Sequence, residues 1–169
     1  MTTRPGRCMI VANQTVGSEA LDRAVRDCIE RGVTRFFVVV PATPVKHEST
    51  RWTGGYLAGD PVSHEYVLEA REEDERRRQQ AEQEAQQRAR LRLTHMLDRV
   101  AADGGDATGA VGDADPLTAA QHVLDAEADF DEIIVSTLPA GLSRWLGMDL
   151  PSRFAKSTYV PVTTVEADE

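Results

Sequence analysis

The sequence is poor in the residues that announce specialised chemistry. It has two cysteines in 169 residues, Cys8 and Cys28. That is too few for a disulfide framework. They fall on different expected elements, so they read as small buried apolar residues rather than a metal pair. A reducing, cytoplasmic setting suits them. The histidines, His47, His64, His95 and His122, are scattered without metal-ligand spacing. No apolar run reaches membrane-spanning length, and the first residues lack the apolar core of a secretory leader. Positive charge is in deficit, with a formal net charge of -9. Neither nucleic acid nor an anionic membrane surface is therefore the expected partner. There is no Gly-x-Ser-x-Gly elbow and no Walker A sequence, which removes two common enzyme classes. No nucleophile or general base stands out, so no catalytic residue is assigned.

What is present is an alternation of short apolar runs and amphipathic segments. Cys8-Met9-Ile10-Val11-Ala12 is continuous and apolar, as a strand covered on both faces requires. After a turn at 13–17, Ser18 is a good helix N-cap, and Leu21, Val25, Cys28 and Ile29 recur at helical spacing up to Gly32. Arg35-Phe36-Phe37-Val38-Val39-Val40 predicts a second strand, stopped by Pro41. Strand, helix, strand with short connections makes a right-handed βαβ unit.

The middle of the chain breaks the alternation. Residues 43–63 are rich in Pro, Gly, Thr and Ser, with Trp52, Tyr56 and Leu57 embedded. This is expected to be a mobile insertion, with a functional lid as the other reading. A long helix is expected over about 65–102. Its first half is nearly all charge and Gln, so 43–80 is expected to be mobile and to project from the body. Its second half carries a stripe of Ala81, Ala85, Ala89, Leu93, Met96, Leu97 and Val100. A weak strand over 107–111 follows. Asp115 and Pro116 then start a helix as N-cap and first residue. Strands are expected at about 130–137 and at Val160-Pro161-Val162-Thr163-Thr164-Val165, with a helix between them ending near Ser157. The sum is a single α/β domain: a three-layer α/β/α sandwich with a five-stranded, mostly parallel, doubly wound, Rossmann-like sheet.

This ordered set resembles the universal stress protein family. The likeness rests on the weak third strand before Val111-Gly112-Asp113-Ala114, and on the Asp-rich entry to strand four. It rests also on Gly141-Leu142-Ser143-Arg144 and on the Pro-Val opening of the last strand. It covers the chain except for about 43–80. It implies a stress-response or regulatory module and a homodimer formed through the final strand, with a further protein partner left open. It also implies a site for ATP or AMP.

The phosphate loop departs from the family pattern of Gly-x2-Gly-x9-Gly-Ser/Thr. Those glycines let backbone N–H groups approach phosphate oxygens at a helix N-terminus. Here the positions fall on Ser136, Pro139 and Asp149, or one residue earlier on Val135, Leu138 and Met148. Pro139 has no N–H to give, and Asp149 brings negative charge toward a phosphate. At the end of strand one the family usually carries Asp; this chain has Asn13. ATP or AMP binding is therefore expected to be weak or absent. The groups left to meet a ligand are Asn13, Thr15, Val40, Gly112 and Ser136 at the strand ends, with Gly141, Ser143 and Arg144 in the loop. Ser143 equally reads as a helix cap, and Arg144 as a partner for Asp149. The first functional reading is a non-catalytic regulatory homodimer with a degenerate phosphate loop. The alternative is a module that senses an adenine nucleotide or another small molecule in the cleft. An adenine-nucleotide α-hydrolase is disfavoured, because Asn13-Gln14-Thr15-Val16-Gly17-Ser18 lacks the Ser-Gly-Gly-x-Asp-Ser loop of such enzymes.

Overall fold

Strand β1, Gly6–Val11, is the centre of the molecule and shows why the apolar run is continuous. In the computed structural model, which describes residues 4–43, 62–127, 129–139 and 149–168 (62–66 as backbone only), its side chains point alternately into two cores. Cys8 and Ile10 join a core roofed by helix α1, Glu19–Glu30, and the end of helix α2, Val62–Ala102. Met9 and Val11 join a second core under α3, Pro116–Ala126, and α4, Leu150–Ser157. Residues Cys8 to Val11 thus each bury their side chains, worth roughly 1.5–3 kcal/mol for each large aliphatic one.

The remaining strands are β2, Val33–Pro41, β3, Asp106–Gly112, β4, Glu132–Thr137, and β5, Val162–Glu166. The sheet order is β3-β2-β1-β4-β5 and every neighbouring pair is parallel. This is the doubly wound sandwich expected from the sequence. Strand order reverses at β1, so the switch point opens between the carboxyl ends of β1 and β4.

The local signals hold at several helix ends. The Ser18 side chain accepts from Leu21 N–H, and Asp115 accepts from Thr118 N–H ahead of Pro116. Gly32 and Gly104 end their helices at φ 90 and φ 93, a region open to glycine. Boundaries differ where proline was read as a stop. Pro41 is the last residue of β2 and pairs with Gly112, since a strand end tolerates the missing N–H. Pro161 precedes β5, and its carbonyl accepts from Ile133 N–H at 2.9 Å, so the final strand begins two residues later than expected. Strand β4 begins at Glu132, after Asp129 takes a left-handed conformation at φ 77.

Helix α2 is two helices in character. Residues 67–80 are exposed throughout, and Arg77 reaches Glu73 at 3.8 Å one turn away. Further on, Ala85, Ala89, Met96 and Val100 are buried where the helix packs over β2 and β3. Arg99 ties this half to α1 by donating to both carboxylate oxygens of Asp22, through Nε at 2.9 Å and through Nη2. Of the expected insertion, 44–61 lies outside the described residues. Among the described residues, no helix is long and apolar enough to cross a membrane.

The seat of α2 depends on Gly109 in β3. A Cβ there would lie 2.4 Å from the Val38 carbonyl oxygen and 2.6 Å from Leu93 Cδ1. The neighbouring backbone cannot swing aside, so β2 and β3 would have to part. We predict that Gly109→Ala destabilises the fold by about 1–3 kcal/mol. Thermal unfolding should register this as a clear fall in Tm; an unchanged Tm would show that the strands part without cost.

Candidate functional site

The switch point is lined by the residues that follow β1 and end β4. Thr15 and Ser136 meet there and close a ring. Ser136 Oγ donates to Thr15 Oγ1 at 2.7 Å, and Thr15 Oγ1 donates to the Ser136 carbonyl at 3.3 Å. Asn13 lies beside them with both ends of its amide engaged. Its Nδ2 donates to the Pro41 carbonyl at 3.1 Å, and its Oδ1 accepts from Arg92 Nη1. Asn13, Thr15 and Ser136 are 8, 4 and 1% exposed, so their bonds to one another and to the backbone are made away from water, while the Arg92 contact is part-buried. The Asn13, Thr15 and Ser136 side chains are thus all hydrogen-bonded within the protein.

Arg92 is the site residue that sequence reasoning missed. It comes from α2 and is half-buried, as is Arg88 one turn earlier. Burial, and secondly the positive charge of Arg88, makes the Arg92 guanidinium less basic than usual. Arg88 has no hydrogen-bond or ion-pair partner among the described residues. The only sequence signal was two arginines at i and i+4 within a stripe of Ala and Leu. His95, a turn further along, lies against the turn at Gly17, where an added Cβ would be 3.2 Å from its ring.

The other expected site residues are placed differently. Val40 is fully buried in the core under α2. Gly112 faces α3, where a Cβ would come within 2.6 Å of the Ala119 Cβ; its role is close packing of that helix. With Asp113 and His122 it borders a groove of 410 Å³ along the β3 edge. Gly141, Ser143 and Arg144 lie outside the described residues. At the two ends of that stretch, Pro139 is half-buried and Asp149 is exposed, the latter in a left-handed conformation at φ 54 without capping the helix it precedes. Thr137, 2% exposed, leaves its Oγ1 without a partner among the described residues.

A second group of chemistry-bearing side chains lies toward the opposite ends of the strands. The sequence separated Cys8 and Cys28, but the fold brings them together, because β1 and α1 face each other across the first βαβ unit. Cys28 Sγ donates to Glu132 Oε1 at 2.9 Å, and Glu132 is the register partner of Cys8 on β4. A hydrogen bond with Cys28, and then burial, push the Cys8 thiol well above its ordinary value. It is therefore neutral at pH 7.

No protein-family model and no curated protein matches the sequence. Solved structures do. A universal stress protein from Archaeoglobus fulgidus superposes with a TM-score of 0.52 at 13% identity, over 95% of this chain and 93% of that one. A universal stress protein from Lactobacillus plantarum gives 0.50 at 12%, over 97 and 99%. The chain has the universal stress protein fold.

The Arg92–Asn13 contact generates a direct test. A hydrogen bond to a charged group contributes about 1.5–3 kcal/mol, and Arg92 retains some solvent. We therefore expect a double-mutant cycle of Asn13→Ala and Arg92→Ala to give a coupling of about 1 kcal/mol by chemical denaturation. Strict additivity of the two changes would refute the contact.

Proposed function

We propose that this chain is a divergent universal stress protein-like module with a stress-response or regulatory role. On this reading it is non-catalytic, works as a homodimer, and binds ATP weakly or not at all. The observation that carries the reading is the internal pairing of Asn13, Thr15 and Ser136 at the switch point. To admit a nucleotide, the Thr15–Ser136 ring and the Arg92–Asn13–Pro41 chain must open. Each bond surrendered costs about 0.5–1.5 kcal/mol net, before any contact with ligand is gained. Pro139 and Asp149 act in the same direction at the loop.

Isothermal titration with Mg-ATP is the test. We expect a Kd weaker than about 100 μM. Low-micromolar binding would sink the reading. Pro139→Gly combined with Asp149→Gly should tighten binding, because it returns an N–H and removes a negative charge.

A second reading, a small-molecule sensor, is favoured by one feature. Arg88 and Arg92 bring two positive charges to the mouth of the cleft, one of them without a partner among the described residues. That arrangement suits a small anion, with or without an adenine. In the same titrations, inorganic phosphate binding that disappears in Arg88→Ala would move the conclusion to this reading.

The dimer is expected through β5. Its free edge offers unpaired N–H and C=O groups, and a second copy can pair with them antiparallel about a two-fold axis. Thr163 and Thr164 are exposed on this strand, while Val162 packs against the second core. Light scattering at micromolar concentration should report twice the chain mass of 18.6 kDa. Thr163→Lys with Thr164→Lys should shift the protein toward monomer. A wild-type monomer across that range would dispose of the interface.

A further inference from the structure

We propose that Cys8, Cys28 and Glu132 form a binding site for one thiophilic divalent cation, of which zinc is the natural representative. The site lies on the α1 face, toward the amino ends of the strands and away from the switch-point cleft. It is independent of nucleotide binding. Two thiol sulfurs and a carboxylate oxygen all lie within 4.8 Å of one another. They come from three separate elements, β1, α1 and β4, so the backbone already holds the donor set together.

The distances suit such an ion. Zinc takes sulfur at about 2.3 Å and carboxylate oxygen at about 2.0–2.2 Å; tetrahedral angles then separate two sulfurs by about 3.8 Å, and sulfur from oxygen by about 3.6 Å. Cys28 Sγ and Glu132 Oε1 are now 2.9 Å apart, joined by the thiol proton. Replacing that proton by the cation asks this pair to move apart by well under an ångström.

The charges suit it too. The cysteines are 0 and 1% exposed, so an uncompensated ion there would be strongly disfavoured. On binding, the two thiol protons leave to solvent. Two thiolates and one carboxylate then face a divalent cation and the Arg31 guanidinium, and the sum is zero. Arg31 is already placed for this. It donates to Glu132 Oε1 at 3.1 Å, to Oε2 at 3.4 Å and to Cys28 Sγ at 3.3 Å. It can keep Oε2 and the sulfur while Oε1 turns to the cation, in the manner of an outer partner that orients metal ligands. The Arg31 side chain is 58% exposed and that of Glu132 15%, so the cation enters from this side. Soft thiolates select zinc, cadmium or copper(I) over magnesium and calcium.

The chain has two cysteines, so thiolate spectroscopy reports on this site alone. The reduced full-length protein should bind one Cd²⁺ per chain, giving sulfur-to-cadmium charge-transfer absorption that Zn²⁺ competes away and Mg²⁺ does not. Cys28→Ala, with its fold verified by circular dichroism, should lose the band and at least about 100-fold in affinity, the upper end of what an outer-shell partner costs. Glu132→Gln should keep a weakened band, and Arg31→Ala should lose about 10-fold. Absence of a stoichiometric band in the wild type, or an unchanged Cd²⁺ affinity in Cys28→Ala or Glu132→Gln, would overturn the proposal.

Discussion

The molecule depends on the burial of β1 from both sides. A strand with apolar residues at successive positions cannot lie at a surface, and Met9, Ile10 and Val11 are all 0% exposed. Neighbours are therefore required on both edges and helices on both faces. β2 and β4 take the two edges. Because one follows β1 directly and the other arrives much later, the chain reverses its direction of travel across the sheet at this strand. That reversal opens the cleft at one end of β1. Toward the other end, the same pairing brings Cys8 into register with Glu132, and α1 lays Cys28 over both. Two separate clusters of polar chemistry thus follow from one packing requirement.

Helix α2 is fixed by the same core, but only over its final third. Ala89 lets it approach the sheet closely, and Met96 and Val100 fill the space beyond it. Its register is then set by two polar contacts on the flanks. Arg99 grips Asp22 of α1, and Arg92 grips Asn13 at the end of β1. Asp22 is 6% exposed, so losing its partner would leave a buried charge unpaired. Rotating the helix by one residue would break both contacts and lift the apolar stripe off the core. The exposed residues at 67–80 carry no such constraint, which leaves 71–78 free to be uniformly charged.

Much of this was legible in the sequence, where the determinants are local. Continuous apolar runs marked the strands, and Ser18, Asp115 and Pro116 marked helix starts, because a cap acts over three residues. Asn13, Thr15 and Ser136 were legible for a topological reason: parallel sheets bring the ends of β1 and β4 together. Legibility ended where contacts span long separations. The Arg92–Asn13 bond joins residues 79 apart, and the Cys28–Glu132 bond joins residues 104 apart. Nothing in local spacing encodes either. Val40 and Gly112 illustrate another limit. Both stand at the carboxyl ends of strands, but the period of two decides which face each side chain takes. Val40 is turned under α2, and Gly112 toward α3.

The cleft itself follows from an accounting of polar groups. Any switch point exposes side chains at strand ends, and side chains buried there must be satisfied by ligand, water or protein. An unsatisfied one costs about 1–3 kcal/mol, so a fold that has lost its ligand is under pressure to recruit an internal substitute. On the proposed reading, the substitute here is a guanidinium from α2. It donates to Asn13 Oδ1 while Asn13 Nδ2 donates to the Pro41 carbonyl, an arrangement an aspartate could not complete, having no N–H. Asn at this position and Arg at 92 therefore form a matched pair. The same logic links them to the loop. On the proposed reading, a cleft that closes on itself has no need of glycines to bring backbone N–H groups to a phosphate, and Pro139 and Asp149 become acceptable. On the proposed reading, the altered loop and the new arginine are two expressions of one change.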